Sequence, residues 1–148
     1  MGKRRFPKQP VLGVGAVVFK DDSVLLVKRG NPPLAGTWSL PGGAVHRSET
    51  LKDAVVREVK EECGIDIDVI DLLREFEYIE PAADGKVEYH YLVFDFKAVY
   101  KSGELCSSSD ADDARWIRIG ELALYELTAP VTAIIEEAAE KNGMHYFG

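Results

Sequence analysis

The sequence predicts an α/β protein built as an α/β/α sandwich around a mixed β-sheet. Strand-like segments dominate the pattern, one helix falls near the middle, and a second falls near the end. Sheets and helices bury their apolar faces by stacking in layers, and many strands with two such helices stack as helix, sheet, helix. With 148 residues and neither an internal repeat nor a linker, the chain is expected to be one domain over 1–148.

The elements follow in order. VLGVGAVVF (11–19) is a nearly unbroken apolar run and reads as a buried strand. DDS (21–23) is a turn, and VLLVKR (24–29) is the returning strand. GNPPLAG (30–36) carries turn residues throughout and reads as a loop. Trp38–Leu40 is a short extended piece before Pro41-Gly42-Gly43. A helix is expected from Leu51 to Cys63, opened by Thr50 with Asp53 as a capping box and closed by Gly64 as a left-handed cap. Residues 66–79 and 87–100 read as strands, separated by a loop (80–86) with Pro81 and an Asp84-Gly85 turn. Asp110–Asp113 reads as an acidic loop and Arg115–Ile119 as a short strand. Gly120–Tyr125 reads as a helical turn, and Pro130–Asn142 as an amphipathic helix with proline at its start.

The central helix carries the chemistry. Glu58, Glu61 and Glu62 sit at i, i+3, i+4 spacing, where like charges repel and cost helix stability. At about 100° per residue, Glu58 and Glu62 project with Leu51, Ala54 and Val55, the side expected to face the protein, while Lys52, Val56 and Lys60 lie roughly opposite. Two carboxylates in partly dry surroundings call for a cation. Their oxygens are hard donors suited to Mg²⁺ or Mn²⁺. Arg57 lies one turn before Glu61 and can pair with it.

Composition narrows the rest. Hydrophobic residues make up 46% and charged residues 29%, an ordinary globular mixture. A net charge of -7 argues against general nucleic-acid binding, which needs a broad basic face. Two cysteines, Cys63 and Cys106, imply no disulfide framework. No signal peptide or membrane-length apolar run is visible, so a soluble cytoplasmic enzyme is expected.

The stretch from Gly43 to Ile65 resembles the signature of the Nudix hydrolases. Gly43, Glu49, Arg57, Glu58, Val59, Glu61, Glu62, Gly64 and Ile65 fill its nine fixed positions over twenty-three residues without departure. The flanking LLVKR, TWSLPGG and ARWI segments are also similar to that family, so the likeness covers nearly the whole chain. The resemblance implies a Nudix-type sandwich and metal-dependent hydrolysis of a nucleoside diphosphate linked to another group. It implies Glu58 and Glu62 as metal ligands, Glu61 as a ligand or water-orienting residue, and the Gly42 carbonyl as a further ligand. Glu49 and Arg57 would brace loop against helix. Asp110, Asp112 and Asp113 are candidates for the general base, with Glu61 competing.

Substrate residues are expected among Arg29, whose guanidinium matches phosphate, and the tyrosines Tyr78, Tyr89 and Tyr125, which could stack on a base but at strand spacing also suit a core. Trp38, Trp116 and Cys63 read as packing residues, and the three histidines have no ligand spacing. Pro81, sixteen residues after Ile65, resembles the ADP-ribose pyrophosphatase branch, so ADP-ribose is the first substrate expected. A nucleoside triphosphate pyrophosphohydrolase is the alternative, and a non-catalytic nucleotide-binding module is the alternative of another class. Lys3, Arg4, Arg5 and Lys8 form a basic start to an acidic chain. A homodimer is expected, with this arm at the partner surface or near substrate phosphate.

Overall fold

The structure is a computed structural model that describes residues 5–30, 34–107 and 111–140, the side chains of residues 111 and 112 excepted. Strands β1 (Val11–Lys20), β2 (Ser23–Arg29), β3 (Trp38–Ser39) and β4 (Gly42–Ala44) precede helix α1 (Leu51–Cys63). Strands β5 (Asp66–Pro81), β6 (Val87–Ser102) and β7 (Ala111–Arg118) follow, then a 3₁₀ turn (Ile119–Leu124) and helix α2 (Ala129–Glu140). The described strands form one sheet with the path β3-β2-β1-β6-β5, on which β4 also pairs with β1 and β7 with β2. β1 and β6 run parallel and every other pairing is antiparallel, so the sheet is mixed.

The continuous apolar run of β1 has a direct cause: both faces of the sheet are covered. Val14, Ala16 and Val18 point to one side, where Ala54, Val55, Val59 and Cys63 of α1 pack on them. Val17 and Phe19 point to the other, where Ile134, Ile135, Ala138 and Ala139 of α2 pack. β2 divides likewise, Leu25 and Val27 toward α1 and Val24 and Leu26 toward α2. A strand buried on both faces loses the polar alternation of a half-exposed one. The result is the expected three-layer sandwich.

Helix α1 has the limits its caps predict. Thr50 Oγ1 accepts from the Asp53 N–H at 3.1 Å, and Gly64 adopts φ +75°. A side chain at Gly64 would be doubly disfavoured, since its Cβ would also lie 2.6 Å from Cys106 Sγ. Val56, expected to lie opposite the core, is partly buried against it, which widens the apolar stripe of α1.

Strand β5 runs on through Glu80 and Pro81, expected in the following loop, and two further segments differ more. Gly42–Ala44 is a strand, registered as Gly13↔Ala44, Val14↔Gly43 and Gly15↔Gly42. Glycine's poor strand propensity hides it, and the absence of side chains is what permits it, because a Cβ on Gly42 would overlap the backbone of Val14. The expected acidic loop is also different: residues 111–113 begin β7, with Arg29↔Ala111 and Lys28↔Asp113 in register and an irregularity between them. Aspartate disfavours strands locally, but pairing with β2 overrides that preference. Asp110 lies outside the described residues, as do Lys3 and Arg4. Arg5 pairs with Glu88 of its own chain at 2.8 Å.

Candidate active site

Gly43 and Glu58 bring β4 and α1 into contact. A methyl group on Gly43 would fall on the Glu58 carboxylate, so glycine there is what lets the strand and this carboxylate keep their present positions together. One residue earlier, the Gly42 N–H donates to Glu62 Oε1 at 3.1 Å. Gly42 thus joins the cluster through its N–H. The two glutamates one helical turn apart are therefore held against the glycine strand, as the helical phase predicts.

Arg57 ties the cluster together. Its Nε and Nη2 donate to the two oxygens of Glu49, at 2.7 and 3.0 Å. Nη2 also donates to the Ala44 carbonyl at 2.9 Å. Nη1 donates to Glu58 Oε1 at 2.7 Å and to Glu61 Oε2 at 3.1 Å. The Arg57 bond holds the Glu49 carboxyl down at about 2, with the His46 N–H assisting. Arg57 itself is pushed further into its charged range, first by Glu49.

The three helix glutamates are not equivalent. The Glu58 side chain is 17% exposed and that of Glu61 58%. Burial pushes the Glu62 carboxyl up to about 7; the Gly42 N–H opposes this and the neighbouring Glu58 charge adds to it. Among the described residues no three acidic, cysteine or histidine groups already stand in a metal-coordinating arrangement. Arg57 holds one oxygen each of Glu58 and Glu61. The donor set nonetheless fits a hard divalent cation: two adjacent carboxylates in partly dry surroundings, oxygen donors only, with a third more exposed carboxylate one turn away.

A cavity of about 380 Å³ opens beside this cluster. Gly42 and Arg29 line it on the carboxylate side. Its walls include Leu40, Phe76, Tyr78 and Tyr91, and α2 contributes Pro130 and Val131. Of the tyrosines considered for stacking, only Tyr78 lines the cavity. Tyr89 is 2% exposed in the aromatic core beside Tyr91. Tyr125 packs edge-on against Trp38 with ring centres 5.3 Å apart. Burial, with a bond to Glu80, pushes the Tyr78 hydroxyl up to about 12.

Of the acidic candidates for the base, Asp113 has both carboxylate oxygens occupied. Asp113 Oδ1 accepts from the Ala114 N–H and Oδ2 from Arg115 Nε, both at 2.8 Å. Both oxygens are engaged and the residue sits in a strand. The backbone of Asp112 lies in β7 beside the end of β2.

Two cavity residues escaped the sequence reading. Asp95 on β6 is 3% exposed, and Arg74 on β5 is its register partner. Arg74 Nε lies 3.5 Å from Asp95 Oδ2, an ion pair rather than a well-made hydrogen bond. Burial pushes the Asp95 carboxyl up to about 6 against the pull of Arg74. One signal was available: Asp95 is a charge inside the apolar run YLVFDFKAV, at the same strand parity as Tyr89, Tyr91 and Val93.

Comparison with known proteins decides the family. The NUDIX domain model matches residues 9–137. The chain belongs to the Nudix family. It is a Nudix hydrolase, with an ADP-ribose pyrophosphatase of Methanocaldococcus jannaschii 37% identical over 120 residues, 81% of this chain and 69% of that protein. A nucleoside triphosphatase NudI of Salmonella paratyphi B is 33% identical over 97 residues, 62% of this chain and 69% of its own. Among solved structures, a MutT Nudix hydrolase from Burkholderia pseudomallei superposes with a TM-score of 0.74 at 34% identity, covering 87% of this chain and 98% of that one. The Nudix domain of Shewanella oneidensis NrtR, complexed with ADP ribose, superposes with a TM-score of 0.71 at 26% identity, covering 91% and 90%.

Proposed function

We propose that this Nudix hydrolase cleaves ADP-ribose to AMP and ribose 5-phosphate. The observation that carries the reading is the union of two parts: a carboxylate cluster built from Glu58, Glu61 and Glu62, and an aromatic-walled cavity that meets it at Gly42 and Arg29. With a divalent cation bound, the first part suits a charged diphosphate, and the second suits a planar base. A relative 37% identical, an ADP-ribose pyrophosphatase, is named for that substrate.

In this reading Glu58, Glu62 and the Gly42 carbonyl hold Mg²⁺ or Mn²⁺, and Glu61 is a further ligand or orients the attacking water. When bound, the cation neutralises diphosphate charge and acidifies water. Arg57 and Glu49 keep the helix and the β4 loop in register, a supporting role with a large effect on the groups it holds. Arg29 meets a phosphate, where a guanidinium fork matches the oxygens, and Tyr78 flanks the base. Asp112 and Glu61 are the two candidates for taking the proton from water, and Asp113, bound to Arg115, is the weaker third. A nucleotide-derived substrate is one met in the cytoplasm. β5 ends the sheet path as a sixteen-residue strand with Ile70, Leu72 and Ile79 exposed, an edge that pairing in a homodimer would cover.

The test is a panel of ADP-ribose, other nucleoside diphosphate derivatives and nucleoside triphosphates with Mg²⁺ or Mn²⁺, products resolved by chromatography. ADP-ribose is expected to give the highest kcat/KM. A second reading, a triphosphate pyrophosphohydrolase, is favoured by the NudI relative. A clear preference for a triphosphate would put it first. Light scattering checks the dimer, and a monomer at micromolar concentration removes it.

A further inference from the structure

Four residues on four neighbouring strands lie in one transverse row across the sheet. Gly42 on β4 registers with Gly15 on β1, Gly15 with Asp95 on β6, and Asp95 with Arg74 on β5. All four line the same cavity. Two strand spacings separate Gly42 from Asp95, roughly 10 Å, the scale of one nucleoside. A Cβ on Gly15 would lie 2.5 Å from Asp95 Oδ1, so the absent side chain is what lets the carboxylate occupy its place.

Asp95 is a costly residue to keep there. The same cavity wall carries Val14, Val93, Phe76, Tyr78 and Tyr91, and Asp95 is the one carboxylate among the described residues lining it. A buried charge pair is often no more stabilising than an apolar replacement. This pair is also imperfect, because Arg74 Nε is buried without a hydrogen-bond partner among the described residues. The rest of Arg74 is well anchored: Nη2 donates to the Pro130 carbonyl at 2.9 Å, and the guanidinium lies 4.9 Å from the Phe76 ring centre. So Arg74 is anchored from two sides with its charge beside Asp95. A buried acceptor in a largely apolar cavity is suited to a hydrogen-bond donor on a planar ring, and poorly suited to a ring that offers a carbonyl at that position.

We propose that Asp95 is the specificity-determining residue of the cavity, accepting from the exocyclic amino group of a nucleobase, with Arg74 as its positioning residue. The enzyme thereby selects 6-amino over 6-oxo purines. This rests on the reading of the cavity as the nucleoside end of the substrate site.

The test compares ADP-ribose with its hypoxanthine analogue, using the full chain with Mg²⁺. Wild type should favour the amino base in kcat/KM by about tenfold or more, the size of one hydrogen bond to a charged group. Asp95→Asn, whose amide can donate to a 6-oxo group, should bring that ratio close to one, with the change in KM rather than kcat. Arg74→Gln should narrow the ratio in the same direction. Equal wild-type rates on the two bases overturn the proposal, as does a ratio unmoved in folded Asp95→Asn. Should Asp95→Asn not fold, the partly exposed Arg74→Gln carries the test, and an unchanged ratio there overturns it. If wild type ignores both diphosphate sugars, the substrate reading has failed, and the base reading is scored on ATP against ITP by the same criterion.

Discussion

Arg57 grips both oxygens of Glu49, Nε on Oε2 at 2.7 Å and Nη2 on Oε1 at 3.0 Å. This fork spends two of the guanidinium's three nitrogens on a loop residue eight positions earlier. The third, Nη1, is left to hold Glu58 and Glu61. One side chain thus sets the relative positions of the loop and two helix carboxylates. Lysine cannot reproduce the arrangement, since an ammonium is a point donor without a planar fork. Arg57→Lys is expected to lower kcat by about 10- to 100-fold, the range found when groups supporting metal ligands are changed. Steady-state kinetics at saturating Mg²⁺ checks it, and a kcat within about twofold of wild type would show that the fork is dispensable.

Glu62→Gln keeps the shape of the side chain and removes its charge. The amide can still meet the Gly42 N–H through its carbonyl. Turnover should therefore fall by orders of magnitude while the circular dichroism spectrum stays that of wild type. Chelation of wild type should have the same effect, reversed by added Mg²⁺ or Mn²⁺. Activity surviving in excess chelator would remove the metal role altogether.

Gly43→Ala places a methyl group on the Glu58 carboxylate. Either β4 retreats from α1 or Glu58 is displaced. Forced overpacking of this kind costs roughly 1–3 kcal/mol. The expected outcome is a lower urea midpoint together with a clear loss of kcat. Wild-type values for both would mean the strand has slack at this point.

Asp95 gives stability a dependence on pH. Its carboxyl rises from the ordinary 3.8 to about 6 in the folded protein, chiefly through burial. The folded state then holds this proton more tightly than the unfolded state. Its contribution is fully present below about pH 4, falls as pH rises through 6, and is flat above. About two pH units correspond to roughly 3 kcal/mol at most. Asp95→Asn cannot ionise, so the stability of the variant relative to wild type should increase between pH 4 and pH 7. Urea unfolding at several pH values measures this, and parallel profiles for the two proteins would contradict it.

Helix α1 and its acidic row were legible without coordinates. Thr50, Gly64 and the 3.6-residue spacing of Ala54, Val55, Glu58, Val59 and Glu62 are local signals, and a helix is decided within one or two turns by such signals. The same holds for the double-faced strand Val11–Lys20, whose apolar run already requires a cover on each side. What no local signal carries is register between strands distant in the chain. The β4 strand exists because Val14 and Gly15 offer it a partner, and Asp113 extends a strand because Lys28 stands beside it. Asp95 was visible only as an odd charge in an apolar run. Its meeting with Gly15, eighty residues earlier, and with Arg74, twenty-one residues earlier, is set by the ladder bonds of β1, β6 and β5. The sequence by itself therefore determined the layered fold and the carboxylate helix, because helix periodicity and burial are near-neighbour effects. Only the tertiary structure decided which residues line the cavity beside that helix, because strand register, on which every facing side chain depends, is a long-range effect.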